Sequence, residues 1–305
     1  MATGWKRLAP LCLIRAGAVP LAVDITVSDI KTGEDFLELL LPHTSRIGRL
    51  RLAGYPSVEA VTNDLPGFFD SPMPNLTSLE LQQTTEPTEL FPSSNAPMPP
   101  VFQNVAKLES LCLTRTPLYP TLFSIPSLRE LKLLGYTNPF NFGTFIRFLR
   151  PNVNLERVVL DIQFVVDSVK IPRARTMAPL SRLRHLSITC SKSIDSKGLL
   201  SYIYIPRGAR IEVTSNPSDR SAVVRSFLPS PPTPILNLLA PITTVKIRVM
   251  PRELHLFGNS SAFTFRSTQP AIDAHFEWTT FPTTAVREFH TDVPPMDTRP
   301  RTCPR

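Results

Sequence analysis

Asp273-Ala-His275, with His290 further along, is the nearest this chain comes to a metal constellation. Carboxylate and imidazole are ligand types for a divalent cation, but a lone D-x-H is weak and reads as surface residues. The other histidines are His43, His185 and His255, and the four cysteines, Cys12, Cys112, Cys190 and Cys303, are widely spaced with no C-x-x-C pair. Neither a zinc site nor a compact disulfide framework is indicated, and a reducing compartment fits best. No G-x-S-x-G, H-E-x-x-H, G-x-x-x-x-G-K-[ST] or G-x-G-x-x-G motif occurs. The expectation is therefore a protein without enzymatic activity, cofactor or metal. A hydrolase hidden in irregular loops would need convergent titratable groups that the sequence does not display.

The chemistry that remains is recognition, and its organising element is Leu128-Arg-Glu-Leu-Lys-Leu-Leu-Gly-Tyr136, an L-x-x-L-x-L frame. The frame recurs as Ile47-x-x-Leu50-x-Leu52, Leu76-x-x-Leu79-x-Leu81, Leu108-x-x-Leu111-x-Leu113, Leu155-x-x-Val158-x-Leu160 and Leu183-x-x-Leu186-x-Ile188. Apolar residues at positions one, four and six face the same way when a loop turns into a short strand. The starts at 47, 76, 108, 128, 155 and 183 give steps of 29, 32, 20, 27 and 28 residues. Weaker copies are Ile242-x-x-Val245-x-Ile247, the half-frame Arg210-Ile211-Glu-Val213, and Val286-x-x-Phe289. Whole blocks also repeat: Arg51-Leu-Ala-Gly-Tyr-Pro56 matches Lys132-Leu-Leu-Gly-Tyr-Thr137.

A length of 305 residues suggests roughly two domains, but the repeats favour a single elongated core. Hydrophobic residues at 42% and charged residues at 19% supply enough apolar material to rule out wholesale disorder. The 33 prolines outnumber the 11 glycines, so many connections should be stiff and extended. The formal charge of +8 is dispersed rather than clustered, which argues against a nucleic-acid footprint. Lys6-Arg7 and the apolar run Leu8–Ile14 loosely imitate a signal peptide, but Arg15 interrupts it. The sequons Asn75-Leu-Thr77 and Asn259-Ser-Ser261 would matter only on secretion. No apolar run approaches the ~18 residues of a membrane span, so no membrane partner is expected.

The expected elements are a helix over residues 8–16, a strand over 19–27, and a helix from Asp35 to Leu41 stopped by Pro42. A strand follows at 47–52. Further helices are expected at Ser57–Thr62, Phe142–Leu149, Ser196–Ile203, Ser221–Leu228 and Ile235–Leu239. The proline-rich stretches 86–101 and 117–126 should be non-helical. Strand, crossover, parallel strand is the order of an α/β leucine-rich-repeat solenoid, with a curved parallel sheet on its concave face and helices and extended loops on its convex face. The solenoid should cover residues 1–292, and residues 293–305 read as a disordered proline-rich tail.

Strand alternation sends the residues between the leucines to the opposite face. Arg49, Arg51, Glu80, Gln82, Glu130, Lys132, Arg157, Asp161 and His185 are the candidate contacts, among the small or polar Ser78, Ser110, Cys112, Thr114 and Ser187. Cys190 alternates with Leu186 and Ile188 and is expected to be a buried small hydrophobe.

The six frames, with Leu21-x-Val23, Leu90-Phe-Pro92, Met98-Pro-Pro-Val-Phe102 and Leu118-Tyr-Pro-Thr-Leu122, resemble the fungal F-box-like leucine-rich proteins over residues 8–291. The resemblance implies a cytoplasmic or nuclear substrate receptor of a cullin-type ubiquitin ligase. In such a receptor an F-box docks to a Skp-type adaptor, and the concave face presents a target protein. Two departures stand out. No L-P-x-E-[IL] helix set is seen, so adaptor binding would require an F-box upstream, and a stand-alone scaffold or truncated product is the alternative. Also, the asparagine usual at position nine is replaced by Tyr55, Thr84, Thr116, Tyr136, Gln163 and Ser191.

Overall fold

The computed structural model describes residues 4–26, 36–56, 68, 71–85, 106–118, 124–165, 178–190, 199–200, 202–206, 209–215, 244–250, 253–257, 262–267 and 288–292. Among them the chain is α/β, with a mostly parallel sheet. An opening helix α1 (Gly4–Arg15) leads to β1 (Leu21–Thr26), β2 (Ile47–Tyr55), β3 (Ser78–Gln83), β4 (Ser110–Thr114) and β5 (Glu130–Asn141). Helix α2 (Phe142–Leu149) follows, then β6 (Arg157–Val165), the short β7 (Ala178–Pro179), β8 (His185–Cys190), the short β9 (Ile203–Tyr204) and β10 (Arg210–Ser215). Strands β11 (Thr244–Met250), β12 (Glu253–Phe257), β13 (Ala262–Ser267) and β14 (Glu288–Asp292) are the last of the described elements.

The main sheet runs β1-β2-β3-β4-β5-β6-β8-β10-β13-β12-β11-β14, while β7 and β9 pair separately. From β1 to β10 its order is chain order and every pair is parallel. The reason is the leucine frame. Val23, Leu50, Leu79, Leu111, Leu131, Val158, Leu186 and Ile211 align across the sheet as one column, and Ile25, Leu52, Leu81, Leu113, Leu133, Leu160 and Ile188 as a second. All of these are buried. At roughly 1.5–3 kcal/mol for each large apolar side chain removed from water, a one-residue slip that turned a column outward would cost more than any single hydrogen bond could recover.

Ile47 opens β2 itself, whereas Leu76, Leu128, Leu155 and Leu183 precede their strands and join the same core through a tight turn. Leu76 N donates to Met73 O at 3.0 Å, Leu128 N to Ile125 O at 3.0 Å, Leu155 N to Asn152 O at 3.3 Å and Leu183 N to Leu180 O at 3.1 Å. The carbonyl just past that leucine then receives two amides of the next strand. Thr77 O accepts from Glu109 N and Ser110 N, Glu109 O from Arg129 N and Glu130 N, Arg129 O from Glu156 N and Arg157 N, and Glu156 O from Arg184 N and His185 N, all at 2.7–3.0 Å. Side chains at the turns add a lateral ladder: Asn75 Nδ2 donates to Ser45 O at 2.9 Å, Lys107 Nζ to Asn75 Oδ1 at 3.0 Å, Ser127 Oγ to Leu108 O at 2.7 Å and Asn154 Nδ2 to Pro126 O at 2.7 Å. The first sequon asparagine is thus occupied in holding two turns together.

Several expectations are corrected. Helix α1 starts at Gly4 rather than at residue 8, and runs through Pro10. The helix expected to stop at Pro42 covers 36–40 and passes directly into a 3-10 turn, Leu41–Arg46. Proline is tolerated there because its missing amide falls at the turn's first positions, where no internal partner is needed. Ile203, expected to end a helix, instead opens β9.

The sheet is not curled, so there is no concave surface of the expected kind. Stacked parallel strands bend when broad helices, about 10 Å wide, cover one side of strands spaced about 4.8 Å apart. Among the described residues of the crossovers up to β6, those in α-helix are 36–40, Phe68 and α2. The far end departs too. The frame beginning at Ile242 enters β11, which does not neighbour β10. Strand β13 does, aligning Phe263 and Phe265 with Ile211 and Val213. Strand β12 is antiparallel to both β13 and β11, and β14, which contains Phe289, pairs with β11. The expected helices Ser57–Thr62, Ser221–Leu228 and Ile235–Leu239, the stretch 86–101 and the tail 293–305 lie outside the described residues.

Candidate functional site

All nine candidate contact residues alternate along their strands with the residues of the apolar columns, and the register sorts most of them into rows. One row reads Arg49, Ser78, Ser110, Glu130, Arg157, His185 and Arg210 from β2 to β10. The next reads Asp24, Arg51, Glu80, Cys112, Lys132, Val159, Ser187 and Glu212 from β1 to β10. Gln82 and Thr114 begin a third row, and Asp161 lies beyond the irregularity in β5.

Parallel register converts these rows into ion pairs. Arg51 sits between two carboxylates, with Nη1 at 2.8 Å from Asp24 Oδ1 and Nε at 2.9 Å from Glu80 Oε1. Hydrogen bonds to Glu80 and then to Asp24 push the guanidinium's pKa further up, so its charge is fixed. Glu130 is a second hub. Its Oε1 meets Lys132 Nζ at 3.0 Å and Arg157 Nε at 3.6 Å, and its Oε2 accepts from Ser110 Oγ at 3.0 Å. Burial alone would raise the Glu130 carboxyl, but the Lys132 and Ser110 hydrogen bonds and the Arg157 charge outweigh it and hold the group below the ordinary carboxylate range. A third cluster joins His185 Nε2 to Glu212 Oε2 at 3.6 Å and Arg210 Nη2 to Glu212 Oε1 at 2.5 Å.

Between the first two hubs lie the small side chains Ser78, Ser110, Cys112 and Thr114, all half-buried. Burial, then the neighbouring Glu80 charge, pushes the Cys112 thiol up, so it is a poor nucleophile at neutral pH. Arg49 and Asp161 are exposed, and Asp161 Oδ2 accepts from Gly135 N at 3.3 Å. Gln82 is half-buried beside Thr114. Along the strand entrances a separate line of charge runs from Arg129 through Glu156 to Arg184, at 3.5 and 3.6 Å.

Sequence reasoning placed the nine residues on one face but missed Asp24, Arg210 and Glu212, which complete the first and third clusters. The signal was present in the alternation of Val23 with Ile25 and of Ile211 with Val213. The partner identities were not, because they depend on register between strands 20 to 30 residues apart. Asp273 and His275 lie outside the described residues. Among the described residues no group of three or more His, Cys, Asp or Glu side chains is placed to hold a metal, and no helix is long and apolar enough to cross a membrane. No protein-family model matches the chain, and a search of curated proteins finds no match either.

Proposed function

We propose that the protein is a non-enzymatic recognition module, a leucine-rich-repeat solenoid whose polar strand face binds a target protein. The observation that carries this reading is the laterally paired charge of that face. Arg51 pairs across strands with Asp24 and Glu80, Glu130 pairs across strands with Arg157 and along its own strand with Lys132, and Glu212 pairs with Arg210 on its own strand beside His185 of the next, so these side chains are held before any partner arrives. Preorganised charge lowers the ordering cost of association and favours specificity and on-rate. Stacked strands offer a continuous surface for such binding.

Within this proposal the resemblance to F-box-like leucine-rich proteins assigns the face to a ubiquitin-ligase substrate receptor acting in the cytoplasm or nucleus. A Skp-type adaptor would enter only through an F-box, and no such helix set is seen in these 305 residues. The chain itself should therefore not retain purified adaptor in a pulldown, and saturable binding would show a docking element of another form. The face is tested by affinity purification with the parent and an Arg49→Ala/Arg157→Ala variant. A lower partner yield at an unchanged melting temperature supports the assignment, while an unchanged yield places recognition elsewhere.

A further inference from the structure

Among the described residues, the most exposed large apolar side chains gather at one end of the molecule. Leu8, Leu11 and Ile14 on α1 and Val19 just beyond it are 62, 54, 73 and 63% exposed. This helix is held in place. Leu13 packs against the core, and the Arg46 guanidinium donates to Val19 O from Nε at 3.3 Å and Nη2 at 3.1 Å. Spaced three apart, Leu8, Leu11 and Ile14 lie on successive turns of a helix whose other side is already used.

The charge around them selects the occupant. Lys6, Arg7 and Arg15 fall on α1, and no carboxylate precedes Asp24 in the sequence. The strand face balances its cations with acids, and this segment does not. A second copy of the chain would set two cationic helices against each other. Arg7 precedes and Arg15 follows the run Leu8–Ile14 in the sequence, and Trp5 belongs to the same helix, a composition suited to the boundary of an anionic surface.

We propose that α1 lies flat on an anionic lipid surface. Leu8, Leu11 and Ile14 enter the boundary between headgroups and acyl chains, and the basic residues meet the phosphates. Twelve residues are far too few to span a bilayer. A helix lying in the interface needs no such length.

The test is cosedimentation of the full chain with vesicles of phosphatidylcholine alone or with about one-third phosphatidylserine. Binding to the anionic vesicles should be saturable, roughly tenfold or more stronger than to neutral ones, and weakened by salt. Replacing Leu8, Leu11 and Ile14 by serine should abolish it without changing the melting temperature. Lys6→Gln/Arg7→Gln/Arg15→Gln should remove the preference for anionic lipid. If the triple serine chain fails to fold, Trp5 fluorescence in a Trp278→Phe background serves instead, and should shift to the blue on anionic vesicles. Absence of anionic binding, equal binding to neutral vesicles, or binding that survives the serine changes would overturn the proposal. So would an acidic helical peptide that binds α1 when vesicles do not, or self-association that the serine changes abolish.

Discussion

Tyr136 and Thr116, on neighbouring strand exits, hold each other by backbone and side chain. The Tyr136 hydroxyl donates to Thr116 O and accepts from Thr116 N at 3.2 Å. The Tyr55 hydroxyl meets Thr116 Oγ1 at 3.4 Å from the other side, and Thr116 is fully buried. Both tyrosines follow a glycine in the left-handed region, Gly54 at φ 84° and Gly135 at φ 72°, and in both strands the register shifts across that glycine. The repeated Gly-Tyr block is thus a bulge that turns a ring into the core. Thr84 continues the pattern by donating from N at 2.9 Å to Tyr55 O. Tyrosine and threonine hydroxyls at the ninth position do the bridging that an asparagine ladder would otherwise do.

Tyr136→Phe should therefore cost about 1–3 kcal/mol, because it leaves the buried Thr116 amide without its acceptor. Chemical denaturation checks this, and a change below the detection limit would mean that water or a local shift replaces the hydroxyl.

Leu131 is completely buried in the longest apolar column, between Leu111 and Val158. Leu131→Ala should destabilise the protein by about 2–5 kcal/mol in thermal melting. An unchanged melt would contradict the column itself.

The Glu130 hub makes an acid-sensitive contribution. Its folded-state pKa lies below the ordinary 4.5, so the stabilisation is fully present above that value and is lost as pH falls through the lowered one. Melting of the parent and Glu130→Gln should differ at neutral pH and converge as pH falls below the ordinary carboxylate range. A constant difference across that range would remove the ionised carboxylate from the explanation.

The three arginines among the candidate contacts are not equivalent. Arg49 is exposed and Arg157 reaches Glu130 at 3.6 Å, so Arg49→Ala and Arg157→Ala should each change stability by no more than about 0.5 kcal/mol. Arg51→Ala removes the cation shared by Asp24 and Glu80 and should cost about 0.2–1 kcal/mol, diminishing at high salt. Equal, salt-independent effects at all three positions would show that the pairing is energetically idle.

The leucine frames were readable because burial imposes periodicity: Leu50, Leu79, Leu111 and Leu131 mark their strands without knowledge of any partner. Arg51 was readable as a face residue but not as the centre of an ion-pair triad, since Asp24 and Glu80 are brought beside it only by register. The missing asparagines looked like a simple loss, because nothing in a single strand shows that Tyr55 and Tyr136 reach the same threonine. The frame beginning at Ile242 had the right spacing but the wrong neighbour. Apolar spacing specifies which side of a strand is buried, not which strand lies beside it.

From β1 to β10 the order of strands in the main sheet copies the order of the chain, so adding a unit requires no rethreading. Deleting or duplicating one step, such as the 20 residues from Leu108 to the next frame at Leu128, would remove or add a rung and leave the pairing rules of the others intact. Growth by duplication follows naturally along this stretch but not beyond it, where β11 to β14 no longer follow chain order and a duplicated unit would not fall beside its own copy. Uneven steps of 20 to 32 residues are what such a ladder tolerates, because spare length can be stored in a crossover without disturbing the strands.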